Sequence, residues 1–287
     1  MTPAAAALVA AAVVAAAAAG RPAPGSDPGL TPIHRRAFAF VDRSRRARFS
    51  NGSSAPRALR TQVLLPAGHG RFPLVVFCHG FALTPGIYVP LLDAWVRAGF
   101  VVAAPAFPVE RPGAPGGPSR ADLPNEPRDV SFVLTRLLRA LRGVVDPRAV
   151  AVAGQSDGAV AAFSVAYDPR YRDPRVNAAV VMSGAPLAGF AAPADGAPPL
   201  LAVQGTADPF NAPRVTAAYF RELRPPKFLL WLLGASHLPP YTTSDRWEAA
   251  VAAATTAFLR HYLRAAPLRP LLAAGDRPGV ARLVARP

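Results

Sequence analysis

The sequence contains very little cysteine and lysine for a chain of 287 residues. Cys78 is the only cysteine, so no disulfide can form within the chain, and no cysteine follows the apolar N-terminus to carry a lipid anchor. Lys227 is the only lysine, and arginine supplies the other 31 basic residues. The densest basic group is DRSRRARF, with Arg43, Arg45, Arg46 and Arg48. Because the other arginines are scattered, the formal charge of +15 favours a solvated basic surface and no nucleic-acid partner. This charge would also allow transient association with anionic surfaces.

The sequence also lacks the motifs that bind the common cofactors. It has no metal-ligand spacing of Cys and His, no phosphate-binding loop and no dinucleotide fingerprint. We therefore predict no cofactor and no metal site. An apolar fraction of 51% and a charged fraction of 17% exclude general disorder. The length fits one large α/β domain, which we expect to be a monomer.

The chain begins with the apolar stretch MTPAAAALVAAAVVAAAAAG, which is too short and too rich in alanine to span a bilayer well. Small residues, Pro22 and Pro24 follow it, as is typical of a secretory signal peptide, although no Lys or Arg precedes the apolar run. We predict a signal peptide over residues 1–25 and a secreted or cell-envelope protein. A cytoplasmic location is the alternative if this segment is not a working signal. Residues 26–55 are predicted to form a linker or N-terminal extension, and residues 266–287 a C-terminal tail.

Apolar runs of strand length alternate with helix-like stretches along the middle of the chain. The strands are predicted at 61–67, 72–80, 100–107, 149–154, 177–185, 199–205 and 227–234. The helices are predicted at 88–98, 127–142, 157–167, 212–223 and 244–263. Several strands are apolar at every position, which is typical of strands covered on both faces. The pattern predicts an α/β domain over residues 56–265, with a mostly parallel central sheet flanked by helices.

One connection, PVERPGAPGGPSRADLPNEP at 108–127, is unusually long and rich in Pro and Gly. It follows a predicted strand, so it would lie over the strand ends, where such sheets bind ligands. Two interpretations stay open at this stage, a segment that shapes the mouth of a substrate site and a loose surface insertion.

A candidate nucleophile lies in Gly154-Gln155-Ser156-Asp157-Gly158, which matches G-x-S-x-G. The motif follows a predicted strand and opens a predicted helix, the context in which it displays a serine hydroxyl on a sharp turn. Its glycines allow the strand and the helix to approach each other. We predict that Ser156 is the nucleophile.

A serine nucleophile needs a base, and the base needs an orienting carboxylate. Asp208 and His237 follow the last two predicted strands, and the chain order Ser, Asp, His is the order that this scaffold uses. We predict that His237 is the general base and that Asp208 holds its tautomer. Asp208 could instead start a turn or cap the helix that follows, and His237 could be a loop histidine without a task. The remaining candidates are weaker because none lies at a carboxyl strand end: His34 and His69 in polar loop sequence, and His261 in the last helix.

An oxyanion hole is predicted from two backbone N–H groups, those of Phe81 and Asp157. Phe81 follows an early buried strand that ends in His79-Gly80, and Asp157 directly follows the nucleophile. His79, Gly80 and Gln155 are predicted to contact the substrate. Cys78 is predicted to be a buried strand residue and not a second nucleophile.

Together these motifs resemble the α/β-hydrolase superfamily over about residues 60–263. Within it, the chain is similar to the group of dienelactone hydrolases, chlorophyllases and bacterial cutinase-like polyester hydrolases. The resemblance implies an α/β-hydrolase fold without a large cap domain and a carboxylic-ester hydrolase. The sequence departs from the cutinases at Gln155, Asp157 and Ala159, and from the dienelactone hydrolases by having Ser156 in place of cysteine.

Three functions follow from these observations. The first is an esterase or lipase-like enzyme that cleaves small-molecule or lipid esters through an acyl-enzyme on Ser156. The second is an amidase or peptidase of the same fold, and the third is a catalytically silent binding protein. The third is suggested by Asp157, whose carboxylate could repel a developing oxyanion unless it points away or pairs with an arginine. A solvated aspartate stabilised by the helix dipole is the favoured interpretation of Asp157, and a contact with a cationic or polyol substrate is the alternative.

Overall fold

A nine-stranded sheet runs through the computed structural model, which describes residues 32–192 and 196–287. In chain order the strands are β1 (Ile33–Arg48), β2 (Ser54–Pro66), β3 (Phe72–Cys78), β4 (Val101–Pro105), β5 (Val145–Gln155), β6 (Ala178–Met182), β7 (Leu200–Gly205), β8 (Lys227–Leu232) and β9 (Ala281–Arg286). Their order across the sheet is β1-β2-β4-β3-β5-β6-β7-β8-β9. Strands β3 to β8 are parallel, whereas β2 and β9 are antiparallel to their neighbours.

Helices cover both faces of this sheet. They are α1 (Val89–Arg97), α2 (Glu126–Ala140), α3 (Asp157–Tyr167), α4 (Pro213–Glu222), α5 (Pro239–Thr242), α6 (Arg246–Arg264) and α7 (Arg269–Gly275), with 3₁₀ helices at Pro85–Tyr88 and Arg120–Asn125. Helices α2, α3 and α4 share one apolar core with the sheet, and α1, α6 and α7 share the other. Because both faces are covered, nearly every residue of the central strands is buried. Within the described ranges, no helix combines the length and the apolar character needed to cross a membrane.

The predicted α/β architecture with a mostly parallel sheet is confirmed. The seven predicted strands correspond to β2–β8, and the five predicted helices to α1–α4 and α6. Most ends differ by a few residues, but β2 begins at Ser54, seven residues before the predicted start at 61. No further domain is inserted between the strands in the part of the chain that the structure describes. The predicted signal peptide at 1–25 lies outside the described residues, as does the start of the predicted linker.

Two predicted segments need correction within the described residues: the linker or N-terminal extension at 26–55 and the tail at 266–287 both contain strands of the sheet. Residues 33–48 form β1, so His34 lies in a strand, and the last residues form α7 and the edge strand β9. β1 has many exposed positions and β9 is mostly half-buried, so neither has the continuous buried apolar run of a central strand. The α/β domain therefore extends beyond 56–265 at both ends.

The long connection after β4 is packed against the sheet through a buried ion network. The Arg57 side chain on β2 has no exposed surface. Its Nη1 donates to Asp122 Oδ1 at 2.9 Å, and its Nε donates to Asp129 Oδ1 at 2.8 Å. Arg45 on β1 also reaches Asp129, at 2.7 Å, so this member of the basic group is not part of a solvated surface. The network fixes the 3₁₀ helix Arg120–Asn125, which excludes a loose surface insertion.

Candidate active site

Ser156 lies on the sharp turn between β5 and α3. Its backbone has φ +56° and ψ −123°, a conformation that a residue with a side chain rarely adopts. The Ser156 N–H donates to the Met182 carbonyl at 3.0 Å, which holds this turn against β6. A Cβ atom on Gly158 would collide with the carbonyl oxygens of Cys78 and His79. Only glycine therefore lets the first turn of α3 approach the end of β3.

The structure brings Ser156, His237 and Asp208 into one hydrogen-bonded row. Ser156 Oγ lies 2.9 Å from His237 Nε2, and His237 Nδ1 lies 2.8 Å from Asp208 Oδ2. Because the carboxylate can only accept, Nδ1 carries the proton and Nε2 is free to accept from the serine hydroxyl. A Cβ on Gly205 would lie 2.9 Å from the Ser236 carbonyl oxygen, so this glycine allows the loops after β7 and β8 to meet.

The Asp208 carboxylate accepts hydrogen bonds on both oxygens. Oδ1 accepts from the N–H groups of Phe210 and Asn211, each at 2.9 Å, and Oδ2 accepts from Gln204 Nε2 at 3.1 Å as well as from His237. Burial alone would raise the pKa of Asp208, but the hydrogen bonds and the neighbouring His237 outweigh it, so the pKa lies below its ordinary value. Asp208 is therefore an ionised acceptor for His237 at neutral pH.

The residues that support Asp208 were not found by the sequence analysis. Gln204 Oε1 accepts from Asn211 Nδ2 and from Thr216 Oγ1, each at 2.8 Å, so the amide that holds Asp208 is itself oriented. The sequence feature that could have indicated this support is Gln204, a polar residue near the end of the otherwise apolar strand β7. The prediction that Asp208 starts a turn also fits, because its Oδ1 accepts from the two following amides.

The two predicted oxyanion donors lie on the elements that flank the serine. Phe81 follows β3, and Asp157 is the first residue of α3, where helix N–H groups lack partners within the helix. In the loop after β3, the Ala82 N–H donates to the Glu110 carbonyl at 3.0 Å, and the Leu83 N–H donates to the Gly80 carbonyl at 3.2 Å. These bonds fix the turn that carries Phe81. The oxyanion role of both amides stays a prediction.

The predicted substrate contacts of His79, Gly80 and Gln155 disagree with their burial. His79 and Gln155 have no exposed surface, and Gly80 is also buried. His79 Nδ1 lies 2.9 Å from the Gly80 carbonyl, and its Nε2 accepts from the Phe107 N–H at 3.1 Å, so both ring nitrogens are used inside the protein. Burial lowers the pKa of His79 to about 4, so the ring is neutral at pH 7. These residues therefore support the site through hydrogen bonds inside the protein.

Tyr88 joins three parts of the site, and nothing in the sequence marked it. Its hydroxyl accepts from the Gly80 N–H at 3.1 Å and donates to Gln155 Oε1 at 2.8 Å. Gln155 Nε2 in turn donates to the His237 carbonyl at 3.1 Å. The chain of bonds connects the end of β3, the residue before the nucleophile and the histidine loop.

Asp157 is paired with an arginine. Arg120 Nε donates to Asp157 Oδ2 at 2.6 Å, and the Asp157 side chain is only 13% exposed. The favoured interpretation of a solvated helix-start aspartate is therefore wrong, and Asp157 instead meets the condition of pairing with an arginine, under which its carboxylate would not repel an oxyanion. Burial raises the pKa of Asp157, and the nearby Arg120 and His237 only partly offset this effect.

The surroundings of the serine are partly aromatic. The centre of the Phe210 ring lies 5.3 Å from the centre of the His237 ring, and Phe210 is 44% exposed. The guanidinium carbon of Arg120 lies 4.6 Å from the centre of the Phe81 ring. Cys78 is buried, and burial raises the pKa of its thiol, so it is an inert strand residue as predicted. Among the described residues, no group of three His, Cys, Asp or Glu side chains is arranged to hold a metal ion.

A parallel sheet with these residues at its carboxyl edge defines the class of α/β-hydrolases. The sequence matches the family model described as chlorophyllase over residues 38–216, and the chain belongs to this family. The matched range contains Phe81, Ser156 and Asp208 and ends before His237.

One similar solved structure is that of a ferulic acid esterase from Streptomyces cinnamoneus. It superimposes with a TM-score of 0.68 at 22% sequence identity and covers 89% of this chain and 95% of its own. At this identity the likeness shows the fold. The comparison with curated proteins gives no match.

Proposed function

We propose that this protein is a serine hydrolase of carboxylic esters. The observation that carries the proposal is the row from Ser156 Oγ to His237 Nε2 at 2.9 Å and from His237 Nδ1 to Asp208 Oδ2 at 2.8 Å. Membership of the chlorophyllase family and a fold shared with a ferulic acid esterase support an ester hydrolase of the α/β-hydrolase fold. The strained backbone at Ser156, which presents the hydroxyl at the sheet edge, supports the same role.

In the proposed mechanism, Ser156 Oγ attacks the ester carbonyl while His237 Nε2 accepts the hydroxyl proton. The tetrahedral oxyanion accepts hydrogen bonds from the N–H groups of Phe81 and Asp157. His237 then returns the proton to the departing alcohol, which leaves an acyl group on Ser156. A water molecule, deprotonated by His237, attacks this acyl-enzyme and releases the acid. Asp208 keeps the imidazole in the tautomer that can accept the serine proton.

We propose esters with short to medium acyl groups as the substrates. No cap domain covers the serine within the described residues. Phe210 provides aromatic surface beside His237, and Phe81 provides it beside Arg120. An acyl group with an aromatic ring would gain contact with these side chains. Because the fold is shared with a ferulic acid esterase, a methyl ester of a hydroxycinnamic acid belongs in the substrate series.

The test is hydrolysis of a p-nitrophenyl ester series, from acetate to decanoate, by the wild-type chain and by Ser156→Ala. We expect activity that is lost in Ser156→Ala and a fall in kcat of about 10⁴ in Asp208→Asn, which reverses the imidazole tautomer. Labelling of wild type, but not of Ser156→Ala, by a fluorophosphonate would identify the nucleophile. A folded protein with neither activity nor labelling would contradict the proposal and favour the silent binding protein. Preferential cleavage of a matched p-nitroanilide would favour the amidase.

A further inference from the structure

One arginine side chain contacts both residues that are proposed to donate to the oxyanion. Arg120 Nε donates to Asp157 Oδ2 at 2.6 Å, and its guanidinium lies over the Phe81 ring at 4.6 Å. Phe81 follows β3 and Asp157 begins α3, so Arg120 bridges the two elements on either side of Ser156. The conversion of ester to tetrahedral intermediate places a negative charge between these same elements.

An uncompensated Asp157 carboxylate would repel the negative charge of the tetrahedral intermediate. Its side chain is 13% exposed, so water screens it poorly, and it lies one residue from the nucleophile. Among the described residues, the side-chain donor to the Asp157 carboxylate is Arg120 Nε. In a site that water screens poorly, repulsion between the carboxylate and the oxyanion corresponds to about 10- to 100-fold in rate.

Arg120 is held in place by the Pro- and Gly-rich connection at 108–127. It is the first residue of the 3₁₀ helix Arg120–Asn125, whose Asp122 carboxylate is bound by the fully buried Arg57. The preceding Ser119 donates its backbone N–H to the Val109 carbonyl at 3.1 Å, and its hydroxyl accepts from the Ala121 N–H at 3.3 Å. The backbone at Arg120 is therefore fixed at both ends, and the side chain needs only to reach across to Asp157.

We propose that Arg120 is a positioning residue that holds the Asp157 carboxylate and cancels its charge beside the oxyanion. This inference rests on the proposed function, because it concerns the oxyanion of ester hydrolysis. It explains how the chain accommodates an acidic residue directly after its nucleophile. Arg120 acts through Asp157 and makes no contact with the reacting atoms.

The test is a double-mutant cycle between Arg120→Gln and Asp157→Asn, with kcat and KM measured separately on p-nitrophenyl butyrate. We expect Arg120→Gln to lower kcat by about 10- to 100-fold and to change KM by less than about 3-fold. In the Asp157→Asn background, the same substitution should lower kcat by less than about 3-fold, because no charge is left to compensate. Arg120→Lys, which keeps the positive charge, should stay within about 3-fold of wild type.

Arg170 provides a matched control. It is 47% exposed, binds Asp168 at 2.6 Å and lies 5.5 Å from the Tyr171 ring, but it follows the far end of α3. We expect Arg170→Gln to have the wild-type kcat. Thermal unfolding monitored by circular dichroism checks that every variant is folded.

Three outcomes would overturn the inference while leaving the proposed function intact. These are a wild-type kcat in Arg120→Gln, an equal loss of kcat in the Asp157→Asn background, or a change confined to KM, which would make Arg120 a substrate contact. If the wild-type chain shows no hydrolysis and Ser156 is not labelled, the proposed function fails, and this inference is refuted with it.

Discussion

Replacing Tyr88 by phenylalanine removes one hydroxyl and leaves two buried groups without partners. The Gly80 N–H loses its acceptor, and Gln155 Oε1 loses its donor. Tyr88 and Gln155 have no exposed surface and Gly80 is buried, so water cannot replace the hydroxyl without opening the structure. The ring of Tyr88 packs edge-on against Phe77 at 4.7 Å and would be retained by phenylalanine.

The magnitude follows from the two unpaired groups. An unsatisfied buried donor or acceptor costs about 1–3 kcal/mol, so two of them in Tyr88→Phe should lower the free energy of unfolding by about 2–6 kcal/mol. Typical domains have about 5–15 kcal/mol of stability, so the variant should still fold. Gly80 precedes the proposed donor Phe81, and Gln155 contacts His237, so we expect kcat to fall by about 10-fold through displacement of these groups.

The assay is urea unfolding followed by tryptophan fluorescence, together with kcat on p-nitrophenyl butyrate. Tyr167→Phe is the matched control, because Tyr167 is equally buried and its hydroxyl donates to the Pro198 carbonyl at 3.1 Å, away from Ser156. We expect the Tyr167→Phe control to lose about 1 kcal/mol of stability and to keep the wild-type kcat. Equal stability losses in the two variants, or an unchanged kcat in Tyr88→Phe, would refute the reasoning that Tyr88 supports the site.

Three further predictions concern packing and pH. Arg57→Ala should lower the free energy of unfolding in urea by about 3–5 kcal/mol, because it leaves the buried carboxylates of Asp122 and Asp129 without this partner. Replacement of the exposed Arg60 by alanine should cost less than about 0.5 kcal/mol, and similar losses in the two variants would contradict the network. Gly158→Ala should destabilise the protein by about 1–3 kcal/mol in the same assay, since the added Cβ has no space, and a neutral result would refute the close approach of α3 to β3. Burial and the adjacent Glu110 raise the pKa of Glu126 well above its ordinary value of 4.5. Above pH 4.5 the folded state therefore retains a proton that the unfolded state releases. The free energy of unfolding should be highest below pH 4.5 and should fall as the pH rises toward the folded pKa. Glu126→Gln should make this fall shallower above pH 4.5. Asp208 does not contribute there, because its pKa is lowered and its stabilisation is lost only below its ordinary value of 3.8. Identical slopes in the two proteins would contradict the prediction.

The fold and the main residues of the candidate site could be predicted because both depend on local patterns. A strand that is covered on both faces is a continuous apolar run, so β3 to β8 were visible in the sequence. The carboxyl ends of parallel strands meet at one edge, so the residues after β5, β7 and β8 could be expected to lie close together. The structure brings Ser156, Asp208 and His237 together at that edge.

The edge strands could not be predicted in the same way. β1 and β9 are paired on one side only, and most of their positions are exposed or half-buried, so their sequences lack a continuous apolar run. Arg45 illustrates the difficulty, because it belongs to a basic run in the sequence and lies beside Asp129 in the structure. Charge and exposure depend on the element that packs against a residue, and local composition does not reveal that element.

The sequence by itself determined the parallel sheet, the sharp turn at Ser156 and the order of the three polar residues along the chain, since these follow from hydrophobic runs and from glycine positions. Only the tertiary structure decided which side chains support them. Tyr88 and Gln155 are 67 residues apart, and Arg120 and Asp157 are 37 residues apart. The Arg120 pair forms because the segment after β4 packs beside the start of α3, and the Tyr88 pair forms because the segment after β3 packs beside the end of β5. The direction of a side chain across such distances depends on packing that sequence spacing does not encode.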